Sequence, residues 1–236
     1  MSALSPSVGL GVLWDWPQRL SRSVLEFAFH PAAYLHPDQA ISRWAQAAPY
    51  LQGPVTSEHL IRDLGLPPLH DVDWSNAAFR AALLPGDVLM HWARLLGLLH
   101  QAPVLSKVVQ RPHLQALSDL MPVEDWAWAI RLNATLSSSA ALPSAPPASA
   151  DADIQTMSSS IWSAGRAQLS LWMQGLPRAL SMRVALKLPH EGEPSQPTSH
   201  GTPLKPALLQ ASYERLTHQW DSTWEEQWQL ALRGEI

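Results

Sequence analysis

The sequence predicts an all-α protein, mainly helical, with one short strand element at most. Three observations carry this reading. Apolar residues recur at three- and four-residue spacing along much of the chain, most clearly over 87–100, where Val88, Trp92, Leu95, Leu96 and Leu99 share one face. Prolines stand where helices begin, at Pro37, Pro112, Pro122 and Pro177. The best period-two alternation is MRVALKL, Met182 to Leu188, and it is the candidate strand.

The elements follow in order. Residues 1–22 read as an irregular N-terminal segment with Trp14 and Trp16 flanking Asp15. The apolar segment VLEFAF ends at His30-Pro31, and a helix is expected from Pro37 to about Ala48, burying Ile41, Trp44 and Ala48. Thr56 or Ser57 can cap EHLIRDL, which stops at Gly65. Leu66 to Trp74 is a loop, because paired prolines remove donors and fix φ. Ser75 is placed to cap NAAFRAALL, and Pro85-Gly86 turns the chain into the amphipathic 87–100 segment. Short helices follow Pro112 and Pro122, the second burying Trp126 and Ile130, with Ala127 and Ala134 as further candidates.

Residues 137–152, SSSAALPSAPPASADA, offer nothing to bury and read as a disordered Pro/Ser/Ala linker. The expected organisation is a single irregular helical domain with an N-terminal part at 23–136 and a C-terminal part at 153–188. In the latter, Asp153 caps a helix to about Gly175 and Pro177 opens another element. A Pro/Gly/Ser-rich loop at 189–205 precedes a C-terminal Trp-rich helix at 206–236.

Composition narrows the function. Charged residues make up 15% of the chain, against a usual fraction near 25%. That fits either a surface covered by partners or a small-residue-rich coding bias. The net charge of −4 and the lack of a basic stripe argue against nucleic acid. No cysteine is present, so disulfides and thiolate metal sites are excluded. The N-terminus lacks a basic signal-peptide region, and the apolar run Val88 to Leu99 is interrupted by His91 and Arg94 and too short to span a bilayer. The expectation is a soluble cytoplasmic protein without direct membrane insertion.

The chemistry-bearing residues do not converge in sequence. His70-Asp71 with Asp73 resembles the His-Asp ligands of metal-dependent phosphohydrolases, which His59 and His91 would have to complete. The pair lies in a proline-bracketed loop, where Asp71, Asp73 and Ser75 read more simply as turn and cap residues. Ten histidines are scattered without a zinc-protease spacing, and the eleven glycines form neither a nucleophile elbow nor a phosphate loop. No catalytic, cofactor or metal residue is assigned, and the protein is read as a non-enzyme. Twelve tryptophans are unusual. Trp220, Trp224 and Trp228, at i, i+4 and i+8, are candidate partner-binding residues, with packing on the protein's own bundle as the equal alternative.

Three stretches carry a family resemblance. FAFHPAAYLHP, Phe27 to Pro37, contains the run Tyr34, Leu35, His36, Pro37. Leu95 to Arg131 offers Leu96-Gly97, Pro103-Val104-Leu105, Val108-Val109 and Leu114 to Leu120. LPRALSMRVALKLP, Leu176 to Pro189, closes the series. Together they resemble the SctK/YscK family of type III secretion components. The resemblance implies a non-enzymatic, mainly helical adaptor in the cytoplasmic sorting platform of the injectisome, without cofactors. It implies partnership with the SctD-type inner-membrane ring protein and the SctQ-type cytosolic ring protein, and indirectly with SctL and SctN. The linker 137–152 and the long Trp-rich tail depart from the family pattern. Competing readings are the phosphohydrolase built on His70 and Asp71, and a generic helical scaffold or secretion chaperone.

Overall fold

The computed structural model describes residues 18–39, 54–107, 118, 122–137, 154–189 and 203–233. These contain nine α-helices and no strand: α1 Gln18–Phe29, α2 Pro54–Asp63, α3 Ala77–Arg80, α4 Gly86–Leu105, α5 Val123–Ser137, α6 Ile154–Gln174, α7 Arg178–Lys187, α8 Pro206–Trp220 and α9 Trp224–Arg233. Short 3₁₀ turns occupy Pro31–Ala33, Pro37–Gln39 and Ala81–Leu83. The all-α class is as expected. The candidate strand at Met182 to Leu188 is helical as far as Lys187, with Leu188 the extended cap residue; within α7, Leu180 with Val184 and Arg183 with Lys187 fall at i, i+4. Residues 1–17 of the expected irregular segment 1–22, the expected elements around Ile41, Trp44 and Ala48 and after Pro112, and nearly all of the linker at 137–152 and the loop at 189–205 lie outside the described residues, whereas residues 18–22 of that first segment are helical, as the start of α1.

Local chemistry sets the helix ends. α2 starts earlier than its expected cap, so Thr56 and Ser57 fall inside its first turn and are buried. The Ser57 hydroxyl accepts instead from the Ala32 amide at 3.3 Å. At the other end, Leu66 N–H reaches Ile61 O at 2.9 Å and Gly65 N–H reaches Arg62 O at 3.2 Å. This double closure needs a left-handed residue, and Gly65 supplies it with φ +59°. α3 is capped by Asn76, not Ser75: its Oδ1 accepts from Ala78 N–H at 2.9 Å, while Asp73 accepts from Ser75 N–H at 3.0 Å.

The C-terminal segment is two helices rather than one. Asp221 Oδ1 accepts from both the amide and the hydroxyl of Thr223, at 3.1 and 2.8 Å. A short side chain that competes with the backbone in this way ends α8 and restarts the chain as α9.

The chain divides into two compact units, each drawn from separate stretches of sequence. The first comprises Met1–Leu89, Met173–Pro194 and Thr217–Ile236, and the second Met90–Trp172 and Ser195–Leu216. The core of the first includes Leu20, Val24, Phe27, Leu60, Trp74, Leu84, Val184, Trp224 and Trp228.

In the second unit Trp92 is the central side chain. Trp172 meets it edge-on at 4.9 Å between ring centroids, Tyr213 lies at 6.1 Å, and the indole N–H donates to Ser212 Oγ at 2.8 Å. There α4 and α6 cross backbone to backbone. A Cβ on Gly97 would stand 2.0 Å from Ile161 O, and one on Gly165 would stand 1.9 Å from Ala93 O. The face that α5 buries is displaced by one residue from the expected one: Asp125, Ala129 and Asn133 are buried, whereas Trp126 and Ile130 are half-buried and Ala134 is exposed. The reason is electrostatic. Asp125 Oδ1 accepts from Arg215 Nη2 at 2.7 Å and Nε at 3.1 Å, and this pairing lets a carboxylate take an inward position.

Candidate protein-interaction site

Helix α1 has two unlike faces. Leu20, Val24, Phe27 and Ala28 are buried in the first unit. On the outward face Leu25 and Phe29, one turn apart, are 39% and 49% exposed. Arg22 and Glu26 pair beside them at 2.7 Å. Two large apolar side chains held at i, i+4 on the surface form the kind of anchor pair that helix-in-groove recognition uses.

The end of α1 is fixed by the residues singled out in sequence. The Tyr34 hydroxyl donates to Phe27 O at 2.9 Å, and its ring stacks on Phe27 with centroids 5.5 Å apart. The Arg183 guanidinium donates to the neighbouring carbonyl, Ala28 O, at 3.3 Å, and to Pro67 O and Ala179 O at 2.6 and 3.0 Å. Carbonyls in the last turn of a helix have no partner within it, so an aromatic hydroxyl and a cation close this end. The rest of the run docks on α7. His36 N–H donates to Leu186 O at 2.8 Å, and Gln39 Nε2 donates to Ala185 O and Leu188 O at 3.2 and 2.9 Å. Leu35 is half-buried and Pro37 opens a 3₁₀ turn on the surface. The first and third stretches of the family resemblance therefore meet in space.

Lys187 lies under this junction. It is 3% exposed, and its Nζ donates to Ala82 O and Leu84 O at 2.9 and 2.8 Å. It also sits 4.5 Å from the centre of the Phe27 ring and 5.1 Å from that of Tyr34. Burial pushes the amine down to about 7 from 10.5. Burial likewise raises the Tyr34 phenol above its ordinary value, an effect that nearby Arg183 opposes. Arg183 itself is lowered by burial and partly restored by Tyr34.

The tryptophan stripe has its own surroundings in the same unit. Trp224 and Trp228 are buried, and Trp228 stacks on Trp74 at 6.3 Å. Arg80, itself buried, lies over the Trp228 ring at 5.6 Å and bonds Glu225 at 2.6 Å, Ser75 O at 2.8 Å and Trp74 O at 3.2 Å. Trp220 is half-buried, with Arg19 over its ring at 5.8 Å and Arg19 paired to Asp221 at 2.5 Å. The C-terminal helix α9 is thus docked on its own unit through the Arg80–Glu225 ion pair and two buried indoles, with Arg19–Asp221 holding the turn before it.

The described histidines that meet a carboxylate or an arginine do so singly, not as one cluster. His70 and Asp71 pair at 2.9 Å with both side chains exposed, His59 contacts Arg62, and His91 lies 3.8 Å from Asp125. Among the described residues no group of three His, Cys, Asp or Glu is placed to hold a metal ion, and no helix is long and apolar enough to cross a membrane.

Sequence reasoning missed the basic residues buried among the described ones, Arg80, Arg183 and Lys187. The signal for two of them was present: Arg183 and Lys187 fall at i, i+4 on the side of α7 that also carries Ala179, Leu180 and Val184. A cation on an apolar stripe must be matched by acceptors from elsewhere in the fold.

Comparison with known proteins adds one match. No curated protein and no solved structure matches the chain. The family described as YOP proteins translocation protein K (YscK) matches residues 23–220, a span that includes α1 from Ser23 onward, the Tyr34 to Pro37 run, α7 and all of α8. The chain therefore belongs to the YscK family of type III secretion proteins.

Proposed function

We propose that this protein is a non-enzymatic adaptor in the sorting platform of the type III secretion injectisome. It works at the cytoplasmic face of the inner membrane, held there through protein partners. It joins the cytoplasmic domain of the SctD-type ring protein to the SctQ-type cytosolic ring protein, and reaches SctL and SctN only through SctQ. Membership of the YscK family over residues 23–220 is the observation that carries this reading. The outward Leu25–Phe29 pair on α1 supports it, because the helix that presents the pair is closed at its end by Tyr34 and Arg183. A rigid helix displays an apolar pair at lower entropic cost than a free segment does. Within the tryptophan stripe, Trp220 keeps accessible surface for a partner, while Trp224 and Trp228 face the core.

The test is co-purification of the tagged protein with each ring component from the same genome. Stable retention of both is expected. The double variant Leu25→Asp/Phe29→Asp should lose one partner and keep the other, with an unchanged helical circular-dichroism spectrum. Retention of neither component by the parent protein, with both partners folded, overturns the proposal.

A further inference from the structure

The interior of the first unit contains an amine beside which, among the described residues, no carboxylate stands. Lys187 Nζ has four partners: the carbonyls of Ala82 and Leu84, and the rings of Phe27 and Tyr34. None is a carboxylate. Among the described residues, the ionisable groups on the elements packed there include Tyr34, whose phenol is neutral, and Arg183, a second buried basic residue one helical turn away; Arg80, which precedes the 3₁₀ turn, is paired with Glu225, and His30 follows the end of α1. On the Pro31–Gln39 segment His36 and Asp38 pair with each other at 3.6 Å. On α4, Asp87 is exposed in the first turn, next to Gly86, whose backbone abuts Lys187 O. The amine links three pieces of chain: the end of α1, the 3₁₀ turn Ala81–Leu83 with Leu84, and the segment bearing Tyr34.

We propose that Lys187 makes this junction a proton-sensitive clasp, in which proton uptake by the buried amine loosens its closed state. The closed junction surrounds the amine with neutral groups and excludes water, whereas opening returns it to solvent. Two carbonyls match the two N–H groups of a neutral amine, so the uncharged form is satisfied in place. The depressed value of about 7 supports the same direction. In the open state the amine titrates near 10.5. Opening therefore takes up a proton between these two values. The ratio of closed to open states rises by up to about tenfold per pH unit above 7 and is flat below it. The clasp adds a pH-dependent element to the chain and does not rest on which ring proteins it binds.

The test is amide hydrogen exchange on the full chain from pH 6 to 8.5, corrected for intrinsic exchange, with the His36 and Leu84 amides as probes. Protection in the parent protein is expected to be level below pH 7 and to climb by up to about tenfold per unit above it. Lys187→Met should abolish the slope, and Lys187→Arg, charged throughout, should hold the low-pH level. A parent protein without the slope, or a Lys187→Met variant that keeps it, overturns the proposal. If the variants do not fold, the carbon next to the Lys187 amine is titrated by NMR in the parent protein. A midpoint within about one unit of 7 supports the clasp, and a midpoint above 9.5 overturns it.

Discussion

Replacing Gly165 with alanine sets two effects of known size against each other. Gly165 lies inside α6, where alanine is favoured over glycine by roughly 1 kcal/mol. Propensity alone therefore predicts stabilisation. The structure predicts the opposite. The new Cβ would lie 1.9 Å from Ala93 O, 2.8 Å from Ala93 C and 3.1 Å from Gly97 N. Ordinary contact begins near 3.4 Å, and all three atoms are backbone, so no rotamer change relieves the clash. α4 and α6 would have to separate by about 1.5 Å at their crossing, loosening the close approach of Gly97 to Ile161 beside it. Overpacking of this kind costs about 1–3 kcal/mol, and the rigidity of the opposing atoms puts this site at the upper end. The expected net loss is about 2 kcal/mol, read as a lower urea midpoint in tryptophan fluorescence with an unchanged slope. Gly97→Ala should behave alike, and the double variant should lose less than the sum, because the first substitution has already opened the crossing. A Gly165→Ala protein as stable as the parent, or more so, would refute the reasoning.

Trp92→Ala should cost roughly 3–5 kcal/mol, whereas Trp92→Phe should lose chiefly the bond to Ser212, about 1 kcal/mol; chemical denaturation separates the two. Glu225→Ala removes the carboxylate that meets buried Arg80 and should cost roughly 1.5–3 kcal/mol; a loss below 0.5 would mean that this pair does not hold α9 in place. Because burial raises the Tyr34 phenol in the folded state, its contribution is present below its ordinary value of 10 and is lost as pH rises through the raised folded-state value. The stability advantage of the parent over Tyr34→Phe should accordingly hold level up to about pH 10 and shrink above it, as followed by urea midpoints. Asp71→Ala, at an 87% exposed side chain, should change stability by less than about 0.5 kcal/mol and leave divalent-cation titrations indistinguishable from the parent.

The family signature and the cores illustrate what could be read in advance. The Tyr34 to Pro37 run and the α7 stretch could be picked out as letters, yet their physical role needed coordinates. Tyr34 and Arg183 close the last turn of α1 from positions seven and 155 residues beyond the carbonyls they meet. Nothing in local sequence encodes such a distant pairing. The same holds for α5, where apolarity alone favoured Trp126 and Ile130, and an arginine 90 residues away drew Asp125 inward instead.

The sequence by itself determined the helical class, most helix positions and the family. Hydrophobic periodicity and proline placement are local quantities, legible in a window of a few turns. The tertiary structure alone decided the rest: the division into two units, the break between α8 and α9 that seats Trp224 and Trp228 inward, and the choice of buried cations. Each depends on whether a distant acceptor is present to satisfy a polar group once water is removed, and that condition exists only when the chain is folded.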